Sequence, residues 1–305
     1  MLATRLATGC SLIAVILAVL VLDEWMAPWY PLWFLTALVI MGLSALEIIS
    51  LLGATSAKPS GNTVFGGVLA MVLANWAPHM VEQVLLQSGT IASPSYDPSA
   101  PFHALGWPLW TFVAILMFAF IAQSAQFVQP GRTMATIAGT VLATAYVGLL
   151  GSFILQLRWL DGRAQGLLAV VALTATAPGA DTGAYTLGRI AGRHKLWPRL
   201  SPNKTVEGAL GGLVFGVVAA LIVVAIARYA VRAPTLGWAE AVGFGVVVGT
   251  AAQLGDLMES MIKRDCDRKD ASDTVPGFGG VLDVMDSLLF AGPIAFGYWL
   301  CFGPQ

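Results

Sequence analysis

A chain of 305 residues that is 57% hydrophobic, 11% charged and of net charge −1 cannot cover a globule of its size with polar surface; an ordinary soluble domain carries about a quarter charged residues. Its mean hydropathy of +0.77 points to the bilayer as its solvent, and with neither a basic nor an acidic tail it makes no electrostatic case for a nucleic-acid partner. Cys10, Cys266 and Cys301 are an odd number without CxxC spacing, so neither a disulfide framework nor a zinc site follows.

Nine apolar stretches come near the ~20 residues a helix needs to cross: 7–22, 31–53, 63–86, 105–127, 134–157, 164–186, 205–229, 236–260 and 282–302. The first, behind Arg5, runs into Asp23-Glu24-Trp25 without a small-x-small cleavage site and reads as an uncleaved span. The third is interrupted by Pro78. The runs are continuously apolar rather than alternating, so the expected fold is all-α, a polytopic helical bundle and not a barrel. Residues 1–160 would be N-terminal scaffold helices and 161–305 the catalytic region.

Lysine and arginine set the orientation. With the N-terminus in the cytoplasm, twelve of the sixteen fall inside, and only Arg158, Arg163, Arg228 and Arg232 fall outside. Gly208, Gly212 and Gly216 are four apart, as are Gly245 and Gly249, a spacing for close helix approach. Packing within the monomer is the expectation; a homodimer seam is the alternative.

The charges are unevenly spread. Seven of 33 lie in 181–207 and twelve in 256–286. Solvated loops account for Arg193 to Arg199, but not for Asp181, Glu207, Asp256, Glu259, Asp283 and Asp286, which stand at the ends of apolar spans where ions need a polar cavity or a partner. If the eighth span is helical to its end, Asp256, Glu259, Ser260 and Lys263 share a face; Asp283 and Asp286 share another. Aspartates converging from two helix ends suit a hard cation such as Mg²⁺, which keeps waters and binds substrate phosphate. The absence of nearby Cys/His sets disfavours zinc. Lys263, Arg264, Arg268 and Lys269 beside the acids, and Ser201-Pro202-Asn203-Lys204-Thr205 in the other cluster, supply what phosphoryl or nucleotidyl transfer needs. Gly277, Gly279 and Gly280 form a turn whose amides could reach a phosphate. There is no Walker A motif and no Ser/His/Asp arrangement; His79 and His103 fall near the external side, and His194 reads as a solvated loop residue.

The stretch Ser260-Met-Ile-Lys263-Arg264, then Lys269-Asp270, then Pro276-Gly277-Phe278-Gly279-Gly280-Val-Leu-Asp283-Val-Met-Asp286 resembles the signature of the phosphatidate cytidylyltransferases, the CDP-diacylglycerol synthases. Asp181-Thr-Gly-Ala184-Tyr185-Thr-Leu-Gly188 and Ser201-Pro202-Asn-Lys204-Thr205-Val-Glu207-Gly208 fit as well. The likeness covers about 180–290; before it only the hydrophobicity fits, with Glu47 near the end of the second span as a further echo.

The resemblance implies CTP and phosphatidate as substrates, CDP-diacylglycerol and pyrophosphate as products, and Mg²⁺ as cofactor. A second, monovalent cation stays open. It would place metal binding on Asp256, Asp283 and Asp286, and phosphate binding on Ser201, Lys204, Lys263, Arg264 and Lys269, with Lys204 or Arg264 stabilising charge in transfer. Asp181 and Tyr185 would line the cavity, and Asn203, Thr205, Glu207, Asp270, Gly279 and Gly280 would also contact substrate. Phe278 and Val284 depart from the usual His and Arg of the pattern. Two other readings remain: transfer from CTP to another lipid phosphate, and an ion-coupled transporter. Against the transporter, the acids crowd at one rim and no inverted repeat is visible.

Overall fold

Length and apolarity convert directly into helices. The computed structural model of the chain describes residues 2–93, 101–160 and 163–304. Its helices are α1 (Leu2–Glu24), α2 (Pro31–Leu52), α3 (Gly61–Gln87), α4 (Pro101–Ala125), α5 (Thr133–Thr144), α6 (Leu150–Gln156), α7 (Arg163–Ala191), α8 (Val206–Ala225), α9 (Trp238–Asp265) and α10 (Val281–Phe302). A π-helical turn, Ala145–Leu149, joins α5 to α6, and another, Ile226–Val231, extends α8. Among the described residues eight helical spans are long and apolar enough to cross a membrane, and they match the second to ninth expected stretches. The first expected stretch falls on α1, most of whose early side chains lie outside the description. The all-α bundle of an integral membrane protein is what forms.

The helices outrun their apolar stretches. α7 continues to Ala191 and α9 to Asp265, five residues beyond the expected ends. Apolar length measures the bilayer, whereas helical hydrogen bonding carries on into the polar region. Pro78 does not break α3. Near it, Gln156 Nε2 donates to the Asn75 carbonyl (3.1 Å) and to Asn75 Oδ1 (3.0 Å), while Asn75 Nδ2 donates to Met71 O and Ser152 Oγ, both at 2.8 Å. Side chains of a neighbouring helix thus surround the turn before the proline with polar partners, as lipid requires.

Two compact units divide the chain: 1–156 with 270–282, and 157–269 with 283–305. In the first, α2 begins with Pro31 at its first turn, and the buried Asp23 carboxylate accepts from Leu32 N (2.8 Å) and Trp33 N (3.1 Å). These are two of the amides a helix start leaves without an intrahelical partner.

In the second unit, α7, α8 and α9 pack backbone to backbone through glycine. A Cβ at Gly183 would lie 2.5 Å from Gly211 O and from Phe215 Cβ; one at Gly212 would lie 2.9 Å from Ala180 O; one at Gly216 would lie 3.2 Å from Gly245 O. The four-residue glycine spacing is therefore used inside the chain. The polar connection between α7 and α8 holds something the apolar pattern did not announce, an antiparallel hairpin of β1 (Lys195–Trp197) and β2 (Ser201–Thr205). A lone hairpin is marginal in water. This one is pinned by Glu207, which accepts from Arg193 N (3.0 Å), His194 N (3.2 Å) and His194 Nδ1 (2.6 Å).

Cys266 is buried at the end of α9, where burial pushes its thiol pKa up, and Cys301 is exposed on α10.

The glycine packing makes a prediction. Gly183→Ala should destabilise the protein by about 1–3 kcal/mol through overpacking, read as a lowered thermal unfolding midpoint in detergent. Gly66→Ala, where an added Cβ meets nothing within 4 Å, should not lower it.

Candidate active site

Close approach of α7, α8 and α9 leaves a cavity of about 400 Å³ in the second unit, between those helices and the hairpin. Asp181, Tyr185 and Arg189 from α7, Asn203, Lys204 and Thr205 from β2, and Gln253 and Asp256 from α9 contribute its polar lining. Glycines 188 and 208 line it too, and their lack of side chains lets α7 and α8 approach there: a Cβ at Gly208 would lie 2.8 Å from Ala184 O.

Each side chain is aimed by local structure. Thr205 Oγ1 caps α8 by accepting from Gly208 N at 3.1 Å, and this fixes the end of β2 that carries Lys204. Lys204 Nζ meets Asp256 Oδ2 at 2.7 Å inside the cavity. Arg189 Nη1 donates to Tyr185 Oη at 3.1 Å, one turn back on α7. Gln253 Nε2 donates to Ala209 O at 3.3 Å and stands one turn before Asp256 on α9.

The carboxylates gather from three helices. A Cβ at Gly255 would come within 2.5 Å of Asp286 O and 3.0 Å of Phe290 Cβ, so α9 and α10 touch there through backbone. Asp256, the next residue, consequently lies within electrostatic reach of the buried Asp286, as do Asp181 and Glu259. Asp286 Oδ1 accepts from Ser287 N at 2.5 Å, and the Ser287 hydroxyl reaches Asp181. One turn further along α9, Lys263 is ion-paired with the fully buried Glu259 and with Asp283 Oδ1 at 2.5 Å. The helical face expected for Asp256, Glu259 and Lys263 is thus realised.

These acids suit a hard divalent cation in one specific sense. All donors are oxygen, with no sulfur or imidazole among them. Among the described residues no three Asp, Glu, His or Cys side chains form a ready-made ion cage. Such a site would hold Mg²⁺ through one or two carboxylates, leaving the remaining positions to water and phosphate.

The other expected residues are placed differently. Ser201, Glu207, Lys263, Arg264, Lys269, Asp270, Asp283, Asp286, Gly279 and Gly280 do not line the cavity. Glu207 holds the hairpin. Arg264 is exposed and its Nη1 donates to Arg268 O at 3.1 Å; Lys269 and Asp270 are exposed as well. The Gly279 amide donates to Val275 O at 3.0 Å, and the Val281 and Leu282 amides donate to Glu47, so these three N–H groups are engaged within the protein. Gln253 was not singled out beforehand, and Glu47 only as an echo of the family pattern. Gln253 stands three residues before Asp256 on an acid-bearing face, the spacing that could have flagged it.

With this geometry in view, the sequence can be set against known proteins. The profile described as the cytidylyltransferase family matches residues 3–302. The chain belongs to that family. It is 40% identical over 157 residues to a phosphatidate cytidylyltransferase of Bacillus subtilis (strain 168), covering 51% of this chain and 55% of that protein. It is 30% identical over 241 residues to one of Staphylococcus aureus (strain COL), covering 75% of this chain and 89% of that protein. One of Staphylococcus saprophyticus is 36% identical over 154 residues, 50% of this chain and 55% of that protein. Family likeness thus extends well before residue 180, where only hydrophobicity and Glu47 had suggested it.

Removing Glu259 would strand Lys263 beside a single counter-ion in a poorly hydrated place. Glu259→Ala should cost on the order of 3 kcal/mol, read as a clear drop in unfolding midpoint and folded yield. An unchanged midpoint would show that Asp283 alone compensates Lys263.

Proposed function

We propose that the protein is an integral-membrane phosphatidate cytidylyltransferase, condensing CTP with phosphatidate to CDP-diacylglycerol and pyrophosphate. The observation that carries the reading is the cavity where Lys204 and Asp256 meet, beside Asp181 and within reach of the α10 carboxylates. Family membership supports it.

In this reading a phosphatidate phosphate oxygen attacks the α-phosphorus of CTP. The new P–O bond forms as the bond from the α-phosphorus to the bridging oxygen of the β-phosphate breaks, and pyrophosphate departs. The nucleophile is already an anion near neutral pH, so no side chain has to remove a proton from it. What the chain contributes is placement and charge. Lys204, in the cavity wall, faces the phosphates and stabilises the charge that builds on them. Arg264, Lys269 and Ser201 lie beyond the cavity lining and complete the phosphate-binding set from outside it, while Lys263 holds the α9 and α10 carboxylates. Tyr185, Asn203 and Thr205 shape the cavity, with Asp181 turned to nucleotide or metal.

Asp256 and Asp286 would hold Mg²⁺, with Asp283 in the same set and ion-paired to Lys263 as the structure stands. When bound, the cation would neutralise phosphate charge and orient the leaving group. The twelve-to-four distribution of Lys and Arg supports a cytoplasmic N-terminus and an active site on the cytoplasmic side, where CTP is found.

Purified protein given labelled CTP, phosphatidate and Mg²⁺ should release pyrophosphate only when the lipid is present, and chelation should stop it. No release with any phospholipid acceptor would overturn the proposal. Asp283→Asn should still fold, with a lowered unfolding midpoint because Lys263 keeps only Glu259 as counter-ion, and should reduce turnover by at least about 100-fold, equivalent to a few kcal/mol of lost charge stabilisation. Near-normal turnover in that variant would remove Asp283 from the metal set.

A further inference from the structure

The amino end of α10 is occupied by an anion that the chain itself supplies. Glu47, on α2 and 6% exposed, reaches the loop before α10 within the same compact unit. Its Oε1 accepts from Ser272 Oγ (2.6 Å), Thr274 Oγ1 (2.8 Å) and Val281 N (3.0 Å); its Oε2 accepts from Leu282 N (2.7 Å). One carboxylate therefore gathers two hydroxyls and the first two amides of α10. Those amides are among the groups that otherwise draw phosphates to helix starts.

The glycines of the turn fit this anion. A Cβ at Gly280 would fall on the Glu47 carboxylate, 2.8 Å from Cδ. Gly277 and Gly279 have φ of +86° and +108°, and Gly279 exchanges backbone hydrogen bonds with Val275 (N to O 3.0 Å, O to N 2.6 Å). The turn is thus folded back on itself and closed around Glu47. Directly after the two amides held by Glu47 come Asp283 and then Asp286, in the first turns of α10.

We propose that Glu47 is a positioning residue for the transfer: its carboxylate fixes the 272–282 loop on α2, sets the start of α10, from which Asp283 and then Asp286 follow, and uses Gly280 as its socket in place of a substrate phosphate. The proposal rests on the cytidylyltransferase reading of the site. It also directs the triphosphate away from this turn, whose amides already face a negative charge, and toward the lysine-bearing cavity.

The test uses the full-length protein in detergent and compares wild type, Glu47→Gln, Gly280→Ala and the double variant Glu47→Asp with Gly280→Ala. The neutral glutamine keeps the shape but sets an NH₂ against amide donors. Its kcat should fall by about tenfold or more, with KM for CTP within about twofold, the pattern for a group acting through catalytic side chains rather than on substrate. Gly280→Ala should lose kcat similarly. The shorter aspartate should restore part of it by making room for the methyl group.

A wild-type kcat for Glu47→Gln, or a raised KM for CTP with kcat intact, would overturn the proposal. So would a double variant no better than Gly280→Ala, because Gly280 would then be reserved for substrate. If Glu47→Gln fails to fold, the paired change Ser272→Ala with Thr274→Ala removes two of the four donors and should lower kcat in the same direction; wild-type kcat there overturns it. The coupling of 47 to 280 is read also in the unfolding midpoint. It therefore stands or falls separately from cytidylyl transfer, whose own failure would appear in the wild-type assay.

Discussion

Lys263 cannot be hydrated where it sits. It is 9% exposed, near the end of a membrane helix, and held between Glu259 and Asp283. An ammonium there is tolerable only with its charge matched and its donors engaged. Glu259 comes from one turn earlier on α9 and Asp283 from the first turn of α10, so the requirement ties the two helices that carry most of the acids. Asp256 and Asp286 then face each other where Gly255 lets the backbones touch. The group of acids is, in this sense, built around the counter-ions of one lysine.

The same principle sets the other half of the site at lower cost. Lys204 is a quarter exposed and needs only Asp256, which it meets at 2.7 Å. A pair at a cavity wall keeps some hydration, whereas the buried Glu259–Lys263–Asp283 set is more nearly locked. Two lysines that look alike along the chain thus differ in setting, one partly exposed at a cavity wall and one buried and holding the frame.

Features that depend on length or periodicity could be read before any coordinates. Spans two to nine are present within a few residues, and the acid face of α9 follows from the spacing of Asp256, Glu259 and Lys263. The glycine repeats in α8 and α9 signalled close packing, which Gly212 and Gly216 perform inside the chain. Partnerships across long separations were not readable in the same way. Nothing near Glu207 in the chain says that its carboxylate will hold the backbone at 193–194, and nothing near Glu47 says that it will meet residues more than 220 positions later. The hairpin at 195–205 was hidden because hydropathy reports lipid contact and is silent about short strands in water.

The two departures from the family pattern acquire different meanings in this light. Phe278 is 38% exposed, does not line the cavity, and its ring would lie 3.5 Å from a Cβ on Gly9 of α1. An apolar ring there meets a glycine surface and removes nothing from the lining of the cavity. Val284 is closer to the chemistry, between Asp283 and Asp286 in the first turns of α10, and brings no charge where the pattern has a cation. Here the balance falls to Lys263. With no arginine at 284, Lys263 is the cation shown on Asp283, and its pairing with both Glu259 and Asp283 balances the charge at the start of α10.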